Sequence, residues 1–412
     1  MILRGSDNRC DVLIIGAGPA GTVAGTVLAR QGYAVSCVER GYFPRHVIGE
    51  SLLPRCNALL ERAGLLPAVA ARGYMVKSGA VFLRGDERAR FCFAESLKGD
   101  YPTTFQVPRD DFDQTLAIAA RQAGLDLRFG QQVEDVEPGA DGVRVSVTDL
   151  ERECRYGIDA RFVLDCSGFG RVLPRLLDLE SHAPLPPRLA CFTQVEADVR
   201  PEGSLEGDIW VCVHPENGWI WIIPFSNGRT SIGMVCDREY WGRTSGSNRD
   251  KLFRYLREEP NAAARLANAV PVAPTRVIEG YSRKARRFHG ERWALVGNAS
   301  DFLDPVFSSG VTLALETAVL AADLVDRTLS EKPVRWEEEY DAVLSKAVGV
   351  FLCFIERWYR RDLERIFFAP DRLPRMRRCI TSILGGHVLR DDNPMVADPD
   401  GVLQQLSEVA QS

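Results

Sequence analysis

Three glycines, an acid and a lysine stand out in this sequence as residues whose type and spacing suit chemistry. Gly16, Gly18 and Gly21 form a GxGxxG turn, with Ala20 inside it, directly after the apolar run Asp11 to Ile15. In such a turn the first glycine permits a tight bend, the second lets backbone approach a pyrophosphate, and the third lets a helix lie close to a sheet. The anion then meets a helix N-terminus, where free N–H groups and the helix dipole favour negative charge. Glu39 ends the next apolar run, Ala34 to Val38. It lies about twenty residues on, where an acid accepts hydrogen bonds from a ribose. Lys77 stands between Met75-Val76 and Gly79 to Phe82. Desolvation lowers the pKa of a lysine among apolar neighbours unless it is paired, which makes Lys77 the leading catalytic candidate. A solvent-facing lysine on an edge strand is the ordinary alternative.

Two further stretches carry chemistry. Trp219 and Trp221 alternate on a strand, so both rings leave the same face. Two bulky rings on one face most often form plain core. Asp304-Pro305-Val306-Phe307-Ser308-Ser309-Gly310 precedes an apolar helix beginning near Val311. Backbone N–H groups at such a start hold an anion without any basic side chain, although a serine cap is the simpler reading.

The elements that must position these residues follow from pattern. Asp11 to Glu39 reads as strand, turn, helix, strand, and a polar loop follows from Arg40 to His46. The uncharged run Val12 to Ala29 just reaches the length that suggests a membrane span. Four glycines and a proline divide it instead into strand and helix. Gly49-Glu50-Ser51 leads to a helix ending near Arg62, and Asp86 to Arg90 is a turn. Asp110 is expected to cap an amphipathic helix from Asp111 to Gln122, and strands are expected at 125–129, 143–148 and 162–164. From Arg188 to Cys236, short aromatic-rich runs alternate with turn signals at 202–203, 216–218 and 227–228, the pattern of an antiparallel sheet. Trp293 to Val296 is a buried strand, Trp336 to about Leu384 is helical, and the polar tail beyond Arg390 is expected to be loosely held.

The fold class is therefore α/β. A Rossmann-like nucleotide domain takes residues 1–78, 104–186 and 275–330. An antiparallel-sheet substrate domain takes 79–103 and 187–274, and a C-terminal helical region takes 331–412. The 412 residues carry a net charge of −5, which argues against general nucleic-acid binding. Eleven cysteines without a CxxC pair and five dispersed histidines give no disulfide framework and no metal ligand set. With no apolar leader at the start, a cytoplasmic protein is expected.

Together these residues resemble the FAD-dependent halogenases, which share their fold with flavin aromatic hydroxylases and geranylgeranyl reductases. The resemblance runs from about Asp11 to Val325. It rests on GxGxxG, on Trp219-Ile-Trp221-Ile-Ile223-Pro224 matching WxWxIP, and on Gly297-Asn298 through Asp304-Pro305 to Gly310-Val311. It looks closest to the branch acting on phenols, pyrroles or tethered acyl groups, because Phe307 stands where tryptophan halogenases carry a glutamate. The resemblance implies FAD held by Gly16, Gly18, Ala20, Gly21, Glu39, Arg40, Arg45, Ser51, Arg109, Gly297, Asn298, Asp304, Pro305, Gly310 and Val311. Asn298 departs from the usual aspartate, and a salt bridge is a rival role for Arg109. Chloride or bromide is expected near Ser308, Ser309 and Gly310. Lys77, Trp219, Trp221 and Phe307 form the implied catalytic set, and Glu50 with Ser51 shapes the tunnel wall.

The activity so implied uses reduced FAD and oxygen to form a flavin hydroperoxide, oxidises halide to hypohalous acid, and relays it through Lys77 to an electron-rich aromatic ring. Gly168-Phe169-Gly170 lacks the third glycine of a second nucleotide fingerprint, so reduced FAD is expected from a separate flavin reductase. Eight arginines stand against three acids between Arg357 and Arg378. That local reversal of sign suggests an acyl or peptidyl carrier protein as substrate donor, against the simpler reading of a solvated helix face. A non-halogenating hydroxylase or double-bond reductase of the same fold, and a flavin-binding accessory protein, remain the alternatives.

Overall fold

The computed structural model describes residues 8–45, 47–216, 218–369 and 374–411. His46, Asn217, Asp371 and Arg372, which the loop, turn and charge readings include, lie outside them.

The first sheet is built on a parallel core. Strand Arg9–Ile15 lies between Val35–Glu39 and Cys154–Asp165, flanked further out by Asp126–Phe129 and Trp293–Leu295. Val12 to Ile15 are buried, as strands covered on both faces must be. The helix Pro19–Arg30 starts on Pro19, where a missing N–H costs nothing, and packs against the long helix Ser309–Leu329. Strand Cys154–Asp165 is long enough to serve twice. Its second half joins the parallel core, while its first half pairs with Gly142–Asp149, which in turn pairs with Gln131–Gly139.

The second sheet runs Val270–Pro271, Leu189–Glu196, Thr230–Cys236, Gly218–Pro224, Ile209–His214, Gly79–Arg84 and Glu87–Cys92, antiparallel but for the pair formed by Ile209–His214 with Gly79–Arg84. Alternation gives it two apolar faces. Val211, Val213, Trp219, Trp221 and Ile223 join the main core, whereas Cys212, Ile220, Ile222 and Met234 pack in a separate core with Leu252, Tyr255 and Leu256 of the helix Asn248–Glu258. A two-stranded ribbon, Met75–Lys77 with Thr104–Gln106, carries Lys77 opposite Thr104. No helix among the described residues is long and apolar enough to cross a membrane.

Three expectations are corrected. The helix expected from Asp111 starts at Arg109, with Pro108 before it and no side-chain cap. Arg109 is drawn into its first turn by Asp113 four residues on, and Asp110 accepts only the N–H of Asp111. The turn expected from Asp86 to Arg90 is shorter, because Glu87–Cys92 is a strand paired with Gly79–Arg84 and alternates buried Ala89 and Phe91 with its arginines. The tail beyond Arg390 forms helices Pro394–Ala397 and Pro399–Gln411, held by buried Met395, Val396 and Leu403 and by Arg357 bonding Asp400 at 2.7 Å.

Candidate active site

A cavity of about 500 Å³ opens where the GxGxxG turn meets the start of the helix Ser309–Leu329 and the Trp-bearing strand Gly218–Pro224. At its nucleotide end the three glycines have separate tasks. Gly16 has φ +100°, and a Cβ there would stand 2.7 Å from the Cys166 carbonyl oxygen. A Cβ on Gly21 would lie 1.9 Å from the Gly16 carbonyl oxygen, so this residue is fixed by packing and does not line the cavity. Gly18 faces the cavity, with only Arg45 within 4 Å of its missing Cβ. Glu39 accepts the Ala17 N–H at 2.9 Å and the Gly41 N–H at 2.8 Å, and pairs with Arg45 at 3.2 Å. Two buried polar atoms of cavity residues, Arg45 Nε and Ser51 Oγ, have no hydrogen-bond partner. Orphaned groups of this kind are costly unless a ligand or water meets them. With the glycine cradle they fit a phosphate-bearing, ribose-bearing cofactor.

The wall opposite is aromatic. Trp219 and Trp221 both line the cavity, their ring centroids 5.7 Å apart. Gly233 on the neighbouring strand leaves room for the Trp221 ring, which a Cβ would meet at 2.2 Å. Trp221 donates to Ser231 Oγ at 3.1 Å, and Trp219 donates to the Tyr359 hydroxyl at 3.1 Å. Tyr359 in turn donates to Asp304 at 2.7 Å, and Tyr281 donates to the same oxygen at 2.9 Å. Asp304 therefore does not line the cavity. Its other oxygen accepts the Val306 N–H, which fixes the short 3-10 turn Pro305–Phe307, while burial pushes its carboxyl up from the ordinary range. Burial also raises the Tyr281 and Tyr359 hydroxyls far above their usual range, so both remain donors.

That turn ends on Ser308, held at φ +57°, and the helix Ser309–Leu329 begins with no side-chain cap. Its first N–H groups are thus left to a ligand or water rather than to a serine hydroxyl. Pro305, Ser308, Gly310, Val311 and Asn298 line the cavity, whereas Ser309 is buried behind them. Gly297, at φ +60°, packs against Ala314 and gives its N–H to Thr317. Ala20, Arg40, Ser51 and Arg109 complete the expected residues found on the cavity wall. Arg109 is paired with Asp113 at 2.8 Å and donates to the Ile48 and Gly49 carbonyls, so its donors hold the turn before Glu50.

Lys77 lies outside this cavity and is 1% exposed. Its Nζ donates to the Leu52 carbonyl at 2.9 Å and stands 5.2 Å from the Phe93 ring centroid. Burial pushes the amine down to about 7, with Asp208 opposing. The segment Gly49 to Leu53 thus separates the cavity from Lys77. Phe307 is also outside, packed edge-on against Phe354 and Trp358. Trp358 joins Phe82 and Phe367 in a buried aromatic cluster, and Phe368 lies under Arg84, so the aromatics of the arginine-rich segment serve the interior. Several of its arginines are internal clamps as well. Arg357 holds Asp400, and Arg361 pairs with Glu364 and bonds the His214 and Pro215 carbonyls. Arg360, Arg375 and Arg378 remain exposed. Tyr281, Gln194 and Ser231 escaped the sequence reading, since nothing in their local pattern links them to the cavity.

A glycine-cradled nucleotide turn, an acid at the end of the second strand and an aromatic wall on a second sheet define an FAD-dependent flavoprotein. The family described as FAD binding domain matches residues 9–334. Tryptophan 2-halogenase of Chondromyces crocatus is 33% identical over 76% of this chain and 60% of its own length. The 1H-pyrrole-2-carbonyl peptidyl-carrier-protein chlorinase of Pseudomonas fluorescens is 27% identical over 93% of this chain and 90% of its own. A solved flavoprotein/dehydrogenase from Cytophaga hutchinsonii is 38% identical and superposes with a TM-score of 0.94, covering 98% of this chain and 99% of that one. The chain belongs to the FAD binding domain family, and the two curated relatives named above are a halogenase and a chlorinase.

Proposed function

We propose that this protein halogenates an electron-rich aromatic substrate with chloride or bromide, using FAD reduced by a separate flavin reductase in the cytoplasm. The observation that carries the reading is the meeting, in one cavity, of the nucleotide turn, the Trp219–Trp221 wall and the uncapped start of the helix Ser309–Leu329. FAD, when bound and reduced, supplies the oxidation of halide by oxygen to hypohalous acid. The other tasks fall to the chain. N–H groups at Ser309 and Gly310 hold the halide at the positive end of the helix dipole. Trp219 and Trp221 close the wall against organic substrate, held from behind by Tyr359 and Ser231. Lys77, with its amine near neutrality, attacks hypohalous acid to give an N-halo amine and water, then passes the halogen to the ring. One of the similar enzymes carries in its name a pyrrolyl group on a peptidyl carrier protein. A carrier-tethered phenol or pyrrole is therefore the first substrate class to try beside the free acids. Arg360, Arg375 and Arg378 provide the exposed positive charge for an acidic carrier.

A flavin oxidoreductase without halogenating activity is the second reading. The hydrogen bond of Lys77 to Leu52, away from the cavity, favours it. Reduced FAD, oxygen and bromide with monochlorodimedone separate the two. Bromide-dependent bleaching supports halogenation, whereas flavin reoxidation at full rate with no bromide-dependent bleaching overturns it.

A further inference from the structure

Glu50 is a buried carboxyl whose one expected task, shaping the tunnel wall, makes no use of its acid group. It is 3% exposed and lines the same cavity as Ser51, Trp221, Ser308 and Gly310. Its carboxylate accepts Gln194 Nε2–H at 3.3 Å and the hydroxyl of Ser231, the same hydroxyl whose oxygen receives the Trp221 N–H. The cation acting on it is Arg109, whose guanidinium is already committed to Asp113 and to two carbonyls. Asp110 acts in the opposite sense. Burial outweighs the two donors and the arginine, and pushes the carboxyl up to about 7. The other carboxyl among the described lining residues, Glu39, is paired with Arg45 at the nucleotide end. The turn bearing Glu50 also abuts the helix start, since a methyl placed on Gly49 would lie 3.5 Å from Val311 Cγ2.

An anion entering this cavity therefore meets a carboxyl that is poorly hydrated and lightly compensated. We propose that halide enters the cavity together with a proton carried by Glu50, and that this proton is the one the reaction consumes. The inference rests on the halogenase reading. There, one aromatic C–H, one halide, one oxygen molecule, one reduced flavin and one proton give the aryl halide, oxidised flavin and two waters. The C–H bond breaks and the carbon–halogen bond forms. Two electrons come from the flavin and two from the substrate and halide, and oxygen takes all four. Glu50 is left ionised after each turnover and takes its next proton with the next halide.

The test is bromide titration of the oxidised, FAD-loaded enzyme, followed by flavin absorbance and fluorescence at constant ionic strength from pH 5.5 to 8.5. The wild-type Kd should be flat at acid pH and rise about tenfold per unit above pH 7, with close to one proton taken up per bromide bound at alkaline pH. In Glu50→Gln, which keeps shape and donor contacts, the Kd should stay near the wild-type acid value throughout. Ser231→Ala removes a donor to the charged form and should move the midpoint of the profile upward. Loading of both variants is checked by their bound-FAD absorbance. A wild-type slope retained in Glu50→Gln overturns the role of Glu50 while leaving the halogenase reading intact. Absence of bromide binding in the wild type at every pH overturns both.

Discussion

Replacing Lys77 with methionine should make the protein more stable at neutral pH while ending halogen transfer. The amine is 1% exposed, with one hydrogen bond to the Leu52 carbonyl and one aromatic ring beneath it. Its pKa is pushed down to about 7, whereas an unfolded lysine titrates at about 10.4. About three and a half units at about 1.4 kcal/mol each is a cost of roughly 5 kcal/mol. The sign follows from proton counting. Between pH 7 and about 10.4 the unfolded chain holds a proton that the folded chain lacks, so stability rises with pH across that window. Below pH 7 both states are protonated and the full cost persists. At pH 9.5 only about 1 kcal/mol of it remains. Methionine forfeits the hydrogen bond, worth about 1 kcal/mol or somewhat more where a carbonyl loses its donor. The variant should therefore gain roughly 2–4 kcal/mol at pH 7 and close to nothing at pH 9.5. Urea unfolding followed by tryptophan fluorescence at fixed FAD concentration measures both values. A gain that does not shrink with pH, or no gain at pH 7, refutes a desolvated Lys77. Product formation at the normal rate refutes its place in the relay.

Gly18→Val should yield a folded but colourless protein, because its side chain enters the cavity, whereas Gly21→Ala should fail to fold, since the added carbon meets the Gly16 carbonyl. Stoichiometric yellow flavin in Gly18→Val, or a soluble folded Gly21→Ala, would contradict these assignments. Tyr359→Phe removes the acceptor of the Trp219 N–H and one donor to Asp304, at a cost of about 1–3 kcal/mol. Thermal unfolding checks it, and an unchanged midpoint would mean that the network contributes nothing.

What the sequence made legible was local. The GxGxxG turn can be read because its spacing within one strand, turn and helix marks it, although the Cys166 carbonyl that limits Gly16 lies far away in the sequence. The shared direction of Trp219 and Trp221 follows from strand alternation alone. The Trp219–Tyr359–Asp304–Tyr281 network was hidden for the opposite reason. Its members lie in separate elements, Tyr359 being 140 residues from Trp219, and only tertiary packing brings their hydroxyls to one carboxylate. Asp304 drew notice for its loop, but its partners and its turn away from the cavity depend on that packing. The arginine-rich segment misled similarly. Counting charges gives a positive patch, but buried Arg357 and half-buried Arg361 spend their donors as clamps on the tail and the sheet. The tail itself looked polar because only one stripe of each short helix, with Met395 and Leu403 among it, is apolar.

The five residues Gly49 to Leu53 belong to two compartments at once. Glu50 and Ser51 face the cavity, while the carbonyl of Leu52 is the hydrogen-bond acceptor of Lys77. The same stretch is laced to its neighbours by the Val107 N–H on the Glu50 carbonyl and the Leu52 N–H on the Phe105 carbonyl. A partition this thin transmits displacement. Substitutions at Glu50 and Lys77 are therefore not independent perturbations, and their effects on stability and rate should combine as coupled neighbours do rather than sum. In the proposed reaction the oxidant forms on one side and is captured on the other, so a single span of backbone sets the geometry of both half-sites.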